Sequence, residues 1–351
     1  MSKAETWFIR LNFITIVVTL LLILAGGVVR STGSGMGCPD WPKCFDRYIP
    51  PTSVHELPID YKEKYVAGRV RKNERFANYL ESLGKKELAD SIRKDKSILV
   101  PEVFNPAKTW TEYVNRLLGA STGLLLLMVA ISSFIYIRRS PRIVVLSILN
   151  LFLVGYQGWL GSIVVSTNLA QWIVTLHMFL AVVIIAIVIY TYHYTKYIDR
   201  EPSVIMSKLP WLKTFLFFTL VVSLVQIIVG TEVREEIDVV AKSLSFSARE
   251  TWVAKAGTIF IKHRDLALLV LLVNIVVYKM VKDRFSGKAE PLRMANWMAI
   301  ILLVQIVSGV VLSYLHLPAV AQSLHVLVAV LLFCIQYYLY LLVYRTKTYK
   351  Q

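Results

Sequence analysis

The chain has 351 residues, of which 56% are hydrophobic, and a formal net charge of +16. Its mean hydropathy of +0.57 is too high for a typical water-soluble domain of this length, and the apolar residues come in long uncharged runs. A helix needs roughly 20 apolar residues to cross a bilayer, where it satisfies its own backbone hydrogen bonds. The composition therefore predicts an all-α integral membrane protein in contact with membrane lipid.

Eight runs are long and apolar enough to be transmembrane helices. In chain order they cover residues 11–29, 117–137, 143–165, 172–192, 214–230, 263–278, 294–315 and 322–344. The sixth is the weakest, because charged and polar residues crowd its start at 262–265. The predicted fold class is thus eight transmembrane helices, arranged as two parallel four-helix-bundle repeats for the reasons given below.

Basic residues are concentrated in alternate short loops. The opposite short loops, residues 166–171 and 316–321, carry no Lys or Arg. The positive-inside rule then places both termini in the cytoplasm. We prefer this topological explanation of the charge to nucleic-acid binding and expect no nucleic-acid partner. The residues concerned are Arg138, Arg139, Arg142, Lys196, Arg200, Lys208, Lys213, Lys279, Lys282, Arg284, Lys288, Arg293, Arg345, Lys347 and Lys350.

Two of the three cysteines, Cys38 and Cys44, lie close together on the predicted outer side. A pair in an oxidising compartment suits a disulfide. Two free thiols and a redox-active pair are the alternatives. The third, Cys334, falls within the last span, where we expect it to pack among apolar neighbours.

A constant offset relates the two halves of the chain. Asn115-Arg116 at the start of the second span corresponds to His263-Arg264 at the start of the sixth, at an offset of 148 residues. Because each half has an even number of spans, both enter the membrane in the same direction, which makes a parallel repeat. The same offset relates His177 to His325, Gln157 to Gln305, and Gly161 to Gly309.

The repeat is less strict in the first span of each half, where Gly26 and Arg30 resemble Gly230 and Arg234. The first half carries about 56 extra residues in a charged insert at roughly 50–105, with a helical pattern around 74–94. The predicted organisation is a first helix (1–29), an outer segment with the cysteine pair and insert (30–111), the rest of the N-terminal half (112–194), an inner linker (195–213) and a C-terminal half (214–351).

Three of the six histidines lie at the same end of even-numbered spans. His263 and His325 can therefore converge on one object in the C-terminal half, and two facing imidazoles suit a planar iron porphyrin. Zinc would need three or four ligands. Arg264 and Arg234 could each hold a haem propionate through a paired charge, with interfacial anchoring as the alternative.

The N-terminal half repeats the geometry with different chemistry. Its pair is Asn115 and His177, and because Asn is a poor iron ligand this haem would be five-coordinate or weakly capped. Glu112 is on the same helical face as Asn115 and is peculiar to this half. It could relay protons or stabilise a cation, or merely cap the helix start through the dipole. We favour the functional interpretation. We assign no role to His55, His193 and His316.

These residues resemble those of the haem A synthase family, the CtaA-type proteins of bacteria and mitochondria. Residues 26–44, Gly-Gly-Val-Val-Arg-Ser-Thr-Gly-Ser-Gly-Met-Gly-Cys-Pro-Asp-Trp-Pro-Lys-Cys, are similar to the signature after that family's first helix. Glu112-x-x-Asn115-Arg116 resembles its Glu-x-x-His-Arg motif, from which this chain departs at Asn115. His177, His263 and His325 fall where three of its four helix histidines would.

The resemblance implies that the protein is a membrane oxidoreductase that converts haem O to haem A by oxidising a ring methyl group, in support of cytochrome oxidase biogenesis. It implies a haem b held by His263 and His325 in the C-terminal half. Substrate haem O would bind in the N-terminal half, with Glu112 as the catalytic residue. The substrate-haem residues would be His177, Asn115, Arg116 and Arg30.

The resemblance also implies a multi-pass protein of the inner (cytoplasmic) membrane and a Cys38–Cys44 disulfide like that found in part of the family. The insert could bind haem O synthase or an oxidase assembly factor, and a homo-oligomer is left open. The main alternative function is a non-catalytic haem carrier or electron-transfer cytochrome b. A transporter is the third class. It predicts polar residues at mid-membrane, whereas the informative residues of this chain cluster at the outer edge.

Overall fold

The computed structural model describes residues 1–101, 103–167, 169–205, 210–287 and 289–348, so the predicted loop cations Lys208, Lys288 and Lys350 lie outside the described residues. The helices are α1 (Lys3–Ser31), α2 (Tyr61–Ser82), α3 (Lys86–Lys94), α4 (Pro106–Ser133), α5 (Pro141–Ser166), α6 (Gln171–Tyr197), α7 (Pro210–Ser243), α8 (Trp252–Lys255), α9 (Gly257–Lys282), α10 (Glu290–Tyr314) and α11 (Ala319–Arg345). Short 3₁₀ turns lie at Val54–Glu56, Lys96–Leu99, Phe134–Tyr136 and Arg249–Thr251. Two-residue strands β1 (Val204–Ile205) and β2 (Lys347–Thr348) pair in parallel.

Seven helices within the described residues are long and apolar enough to cross a membrane: α1, α4, α5, α6, α7, α10 and α11. An eighth long helix, α9, has charged residues near both ends, at 262–265 and at 279 and 282. The predictions of an almost wholly helical chain and of a multi-pass membrane protein are confirmed.

The helix starts follow from local sequence. Proline occupies the first turn of α4, α5 and α10, where a missing backbone donor costs nothing. The side chain of Asn105 caps α4 by accepting a hydrogen bond from the Lys108 amide at 3.1 Å. Ser2 and Glu5 form a reciprocal capping box at the start of α1.

Two helices extend well beyond their predicted spans, and the insert differs from its predicted pattern. Helix α4 begins at Pro106 rather than 117, and α7 continues to Ser243 rather than ending at 230. Hydropathy marks only the apolar part of a helix, whereas backbone hydrogen bonding continues through a polar extension. The helical pattern at 74–94 is divided between α2 and α3 by a turn in which Gly84 has a φ of +75°.

The long helices form two rings of neighbours. In the N-terminal ring α1 contacts α4, α4 contacts α5, α5 contacts α6, and α6 contacts α1. In the C-terminal ring the same order runs through α7, α9, α10 and α11. The rings meet where α1 and α6 contact α11 and where α6 contacts α7, with Ile185, Leu220 and Val330 buried in the shared core.

Helices α2 and α3 pack on one end of the N-terminal ring, the end at which α5 terminates and α6 begins. We call this the insert end. Phe76 is central, with its ring 6.1 Å from that of Trp159 and 6.3 Å from that of Trp172, measured between centroids. The remaining buried residues of this contact are Ala77, Leu80, Ala89, Ile92, Leu160, Ile163 and Ile173.

Candidate haem-binding site

Three helix pairs share one arrangement, which we call a corner: a histidine of the second helix lies against a glycine of the first. A methyl group placed on Gly230 would lie 3.1 Å from Cε1 of His263, closer than ordinary van der Waals contact. The imidazole therefore takes space that any larger residue at the glycine would fill. The corners are Gly161 with His177, Gly230 with His263, and Gly309 with His325; the separations in the first and third are 3.5 and 3.3 Å.

Each of these glycines is preceded by a glutamine four residues earlier on the same helix face. Gln157 donates a hydrogen bond from Nε2 to the backbone oxygen of His177 at 2.6 Å. Gln226 donates likewise to the backbone oxygen of His263 at 3.0 Å, and its amide nitrogen lies 3.4 Å from the ring Nε2. The Gln305 amide nitrogen is 3.1 Å from Nε2 of His325.

Sequence comparison of the halves had already paired Gln157 with Gln305, but it missed Gln226. The signal was present in the spacing, because Gln226 precedes Gly230 by four residues just as Gln157 precedes Gly161. It was hidden because α7 has no exact partner under the 148-residue offset.

The hydrogen bonds of Ser308 define the tautomer of His325. The Ser308 hydroxyl donates to the backbone oxygen of Gln305 at 2.8 Å, and its oxygen lies 2.7 Å from Nδ1 of His325. A hydroxyl has one proton to give, so Nδ1 carries the other proton and donates it to Ser308. Nε2 of His325 therefore carries the lone pair, which accepts a hydrogen bond from the Gln305 amide at 3.1 Å.

The fourth pair, α1 with α4, keeps the glycine and changes the other two residues. Gly26 approaches Asn115 rather than a histidine, with 3.9 Å from a methyl group at Gly26 to Asn115 Oδ1. Leu22 takes the place of the glutamine, and its Cδ1 would lie 4.0 Å from a methyl group on Gly119. The imidazole and the amide that would orient it are thus both absent from the same corner.

The rings place these side chains on opposite helices. Helices α9 and α11 share α7 and α10 as neighbours, so His263 and His325 lie on a diagonal of the C-terminal ring. The two imidazoles are near enough to interact electrostatically. In the N-terminal ring the same diagonal joins Asn115 on α4 to His177 on α6.

Several buried polar atoms of the corners have no hydrogen-bond partner. Buried polar groups in native proteins are nearly always paired, so such a group calls for an explanation. Ligand-binding pockets between helices supply one, and nitrogen donors with neighbouring amides fit a metalloporphyrin. The atoms are Oδ1 of Asn115, Nδ1 of His177 and His263, and Oε1 of Gln157, Gln226 and Gln305.

Glu112 and Arg116 face the loop between the two cysteines. Glu112 is 3% exposed; Oε2 accepts from the Cys38 amide at 2.8 Å, and Oε1 accepts from Arg116 at 2.6 Å. Arg116 also donates to the backbone oxygens of Asp40, Lys43 and Cys38 at 2.6 to 2.9 Å. We call this pair the clamp. Its contacts are structural, and the predicted haem roles of both residues remain predictions.

The predicted disulfide between Cys38 and Cys44 is present, and both residues are buried. The loop lies tightly on α4, because a methyl group on Gly37 would come within 2.6 Å of the Lys108 backbone. Cys334 is a buried free thiol, as expected.

The other arginines with predicted haem roles, Arg30 for the substrate haem and Arg234 and Arg264 for the propionates, occupy two kinds of environment. Arg30 and Arg234 converge on one carboxylate, with distances of 3.2 and 2.8 Å to the two oxygens of Asp238. This bridge joins α1 of one ring to α7 of the other. Arg264 is directed away: its side chain is 64% exposed and lies 3.6 Å from Asp265. Neither environment tests the propionate prediction.

The chain is similar to several curated bacterial proteins named Heme A synthase. The protein from Shouchella clausii is 25% identical over 96% of this chain and 97% of its own length. That from Wolbachia pipientis is 24% identical over 95% of this chain and 93% of its own. That from Shewanella oneidensis is 29% identical over 49% of this chain and 40% of its own.

A family model described as cytochrome oxidase assembly protein, COX15-CtaA, matches residues 9–76 and 85–337. The interruption coincides with the end of α2 and the turn that follows it. Every corner lies within the matched residues, as do the eight long helices apart from the first residues of α1 and the last residues of α11. The chain therefore belongs to the COX15-CtaA family of cytochrome oxidase assembly proteins.

Proposed function

We propose that this chain is a haem A synthase, a membrane oxidoreductase that converts haem O to haem A by oxidising a ring methyl to a formyl group. Family membership and the names of relatives aligned over nearly the whole chain support this activity. The observation that carries it is the contrast between two diagonals built on one scaffold, a His–His pair and an Asn–His pair. A pure carrier has no evident need for such unequal sites.

We further propose that all eight long helices cross the inner membrane, as two parallel repeats with both termini in the cytoplasm. The inter-ring contacts support a twofold relation: α1 corresponds to α7 and α6 to α11, so the α1–α11 contact matches the α7–α6 contact. The basic short loops support the orientation. The insert end is then the outer end.

In the C-terminal ring, His263 and His325 are the residues that would hold a haem b. Such a haem supplies one-electron redox chemistry when bound. Ser308 accepts the Nδ1 proton of His325, so that Nε2 is the ring nitrogen that carries the lone pair. Gln226 and Gln305 orient the two imidazoles, and Gly230 and Gly309 provide the space that the rings occupy.

In the N-terminal ring, His177 is the proposed ligand of the substrate haem, and Asn115 faces it with an amide. This arrangement leaves one side of the substrate with a weak partner at most. Glu112 is three residues from Asn115 and anchors the disulfide loop above it. These contacts support a positioning role for Glu112 and Arg116 beside the substrate, in addition to the predicted catalytic role of Glu112.

The test is haem extraction from cells that make haem O but lack their own haem A synthase. Cells expressing this chain should accumulate haem A, whereas cells with an empty vector should not. Purified protein that holds haem stably and yields no haem A under these conditions would support the carrier instead. Protein without Soret absorption would exclude both.

A further inference from the structure

Helix α2 of the insert is fixed at both ends and spans the insert end of the N-terminal ring. At its start, the ring of Tyr65 lies 5.3 Å from that of Phe45 in the disulfide loop, measured between centroids. Towards its end, Phe76 packs against Trp159 on α5 and Trp172 on α6. The clamp ties the disulfide loop to α4. Helix α2 therefore bridges α4 to α6, the two helices that carry Asn115 and His177.

The middle of this bridge is polar on its buried face. Arg69 and Asn73 are each 3% exposed, and Lys72 is half-buried. They share the helix face of Tyr65 and Phe76, by the i, i+3, i+4 and i+7 spacing. An amphipathic helix normally turns apolar residues inward, so two cations and an amide between aromatic contacts need a specific reason.

Asn73 provides the clearest sign of a ligand. Its amide nitrogen and its oxygen are both buried without a hydrogen-bond partner. An unsatisfied buried amide costs about 1–3 kcal/mol, and substitution by an apolar residue would remove that cost. Its presence is explained if a bound molecule accepts a hydrogen bond from the amide.

The charges around Lys72 indicate that this molecule is an anion. Partial burial lowers the pKa of the Lys72 ammonium, an effect that Asp40 opposes and Arg116 reinforces. The carboxylate of Asp40 accepts hydrogen bonds from the Phe45 and Asp46 amides at 2.6 and 2.8 Å, so its hydrogen bonds go to the disulfide loop rather than to Lys72. Arg69 donates to the backbone oxygen of Val100 at 2.9 Å, which keeps its guanidinium at the same face. Lys72 thus supplies a cation next to the unpaired amide of Asn73.

We propose that α2 is a lid whose buried polar face, Arg69, Lys72 and Asn73, binds the propionate carboxylates of the substrate haem at the insert end of the N-terminal ring. This inference rests on the proposed function, which places that substrate between α4 and α6. Carboxylates paired with Lys or Arg form charge-assisted hydrogen bonds, and a planar porphyrin with its carboxylates at the lid would direct its apolar edge into the bundle. The C-terminal ring has no corresponding insert, so the lid distinguishes substrate from cofactor.

The test compares porphyrins with and without free carboxylates. Full-length protein as purified, in neutral detergent without anionic lipid, is titrated with iron(III) protoporphyrin IX and separately with its dimethyl ester, and Soret difference spectra give each Kd. Lys72→Met should raise the Kd of the free acid about tenfold, equivalent to about 1.4 kcal/mol, and leave that of the ester unchanged. Lys86→Met, on the exposed face of α3, removes the same charge and should change neither.

Two further variants distinguish the loss of a specific contact from misfolding of the protein. Lys72→Arg should retain free-acid binding, and Asn73→Asp should weaken binding of the free acid more than that of the ester, because it sets a carboxylate against the ligand's own. If Lys72→Met weakens binding of the free acid and of the ester equally, or weakens neither, the proposal that α2 binds the propionates is wrong. If a Lys72 effect appears only after phosphatidylglycerol is added, the face binds a lipid headgroup instead.

The outcomes for lid and enzyme are separable. A wild-type protein that forms haem A while Lys72→Met binds both porphyrins normally refutes the lid alone. A wild-type protein that forms no haem A refutes the proposed function, whatever the two dissociation constants are.

Discussion

The two rings present the same pair of diagonal positions with different side chains. In the C-terminal ring both positions hold histidine, each with a glycine and a glutamine from the neighbouring helix. In the N-terminal ring the α5–α6 corner keeps that set, while the α1–α4 corner has Asn115 and Leu22 in place of the histidine and the glutamine. The histidine and the glutamine of a corner are thus replaced together, which indicates that the two side chains act as a unit.

The largest expected effect comes from removing a ligand in the symmetric ring. His263→Ala or His325→Ala should abolish the low-spin spectrum of a bis-histidine haem and lower haem A formation by more than about 100-fold, since even outer partners of metal ligands are worth 10–100-fold. Absorption spectra and pigment extraction measure both. His55→Ala, in the exposed insert, is the control. A low-spin spectrum retained in both ligand variants contradicts the assignment.

The clamp, which belongs to the N-terminal ring, should give the next largest effect. Arg116→Ala leaves the Glu112 carboxylate buried without its cation, at a cost of about 3–5 kcal/mol. Thermal unfolding and limited proteolysis of the disulfide loop measure the loss. Adding Glu112→Gln should recover part of it. Unchanged stability combined with weaker substrate binding would favour the substrate-haem-binding role predicted for Arg116 instead.

Restoring the missing corner tests whether ligand and amide form a unit. Asn115→His together with Leu22→Gln should create a second bis-histidine site, visible as added low-spin absorption. Leu22→Gln alone buries an unpaired amide and should cost about 1–3 kcal/mol. If Asn115→His alone gives the full spectral change, the glutamine is not required.

The smallest effects should come from the corner glycines. Gly230→Ala places a methyl group 3.1 Å from the His263 ring, so the ring must shift, at a cost of about 1–3 kcal/mol. Gly161→Ala leaves 3.5 Å to His177, and alanine favours a helix over glycine by about 1 kcal/mol, so this variant should be neutral or slightly stabilised. Melting temperatures and Soret positions distinguish them. If the two variants have the same melting temperature and Soret position, the space between the glycine and the imidazole does not differ between the two corners.

Much of the candidate site could be predicted because polar residues in an apolar chain are few. His177, His263, His325 and Asn115 stood out against their runs, and the 148-residue offset paired them. Gln226 was missed because helices α1 and α7 are not related by that offset, so the comparison did not pair it with another glutamine. The clamp was missed because hydrogen bonds from Arg116 to backbone oxygens depend on a loop path that side-chain types do not encode.

The amino-acid sequence by itself determined the helical membrane fold, the 148-residue offset and the positions of the candidate ligands, because hydrophobic length and a constant offset are local or periodic properties of a chain. Only the tertiary structure decided that Glu112 and Arg116 hold the disulfide loop, that Arg30 and Arg234 share Asp238, and that α2 lies across the N-terminal ring. These facts depend on contacts between residues distant along the chain. Such contacts are selected by packing and charge pairing in three dimensions rather than by the pattern of any one segment.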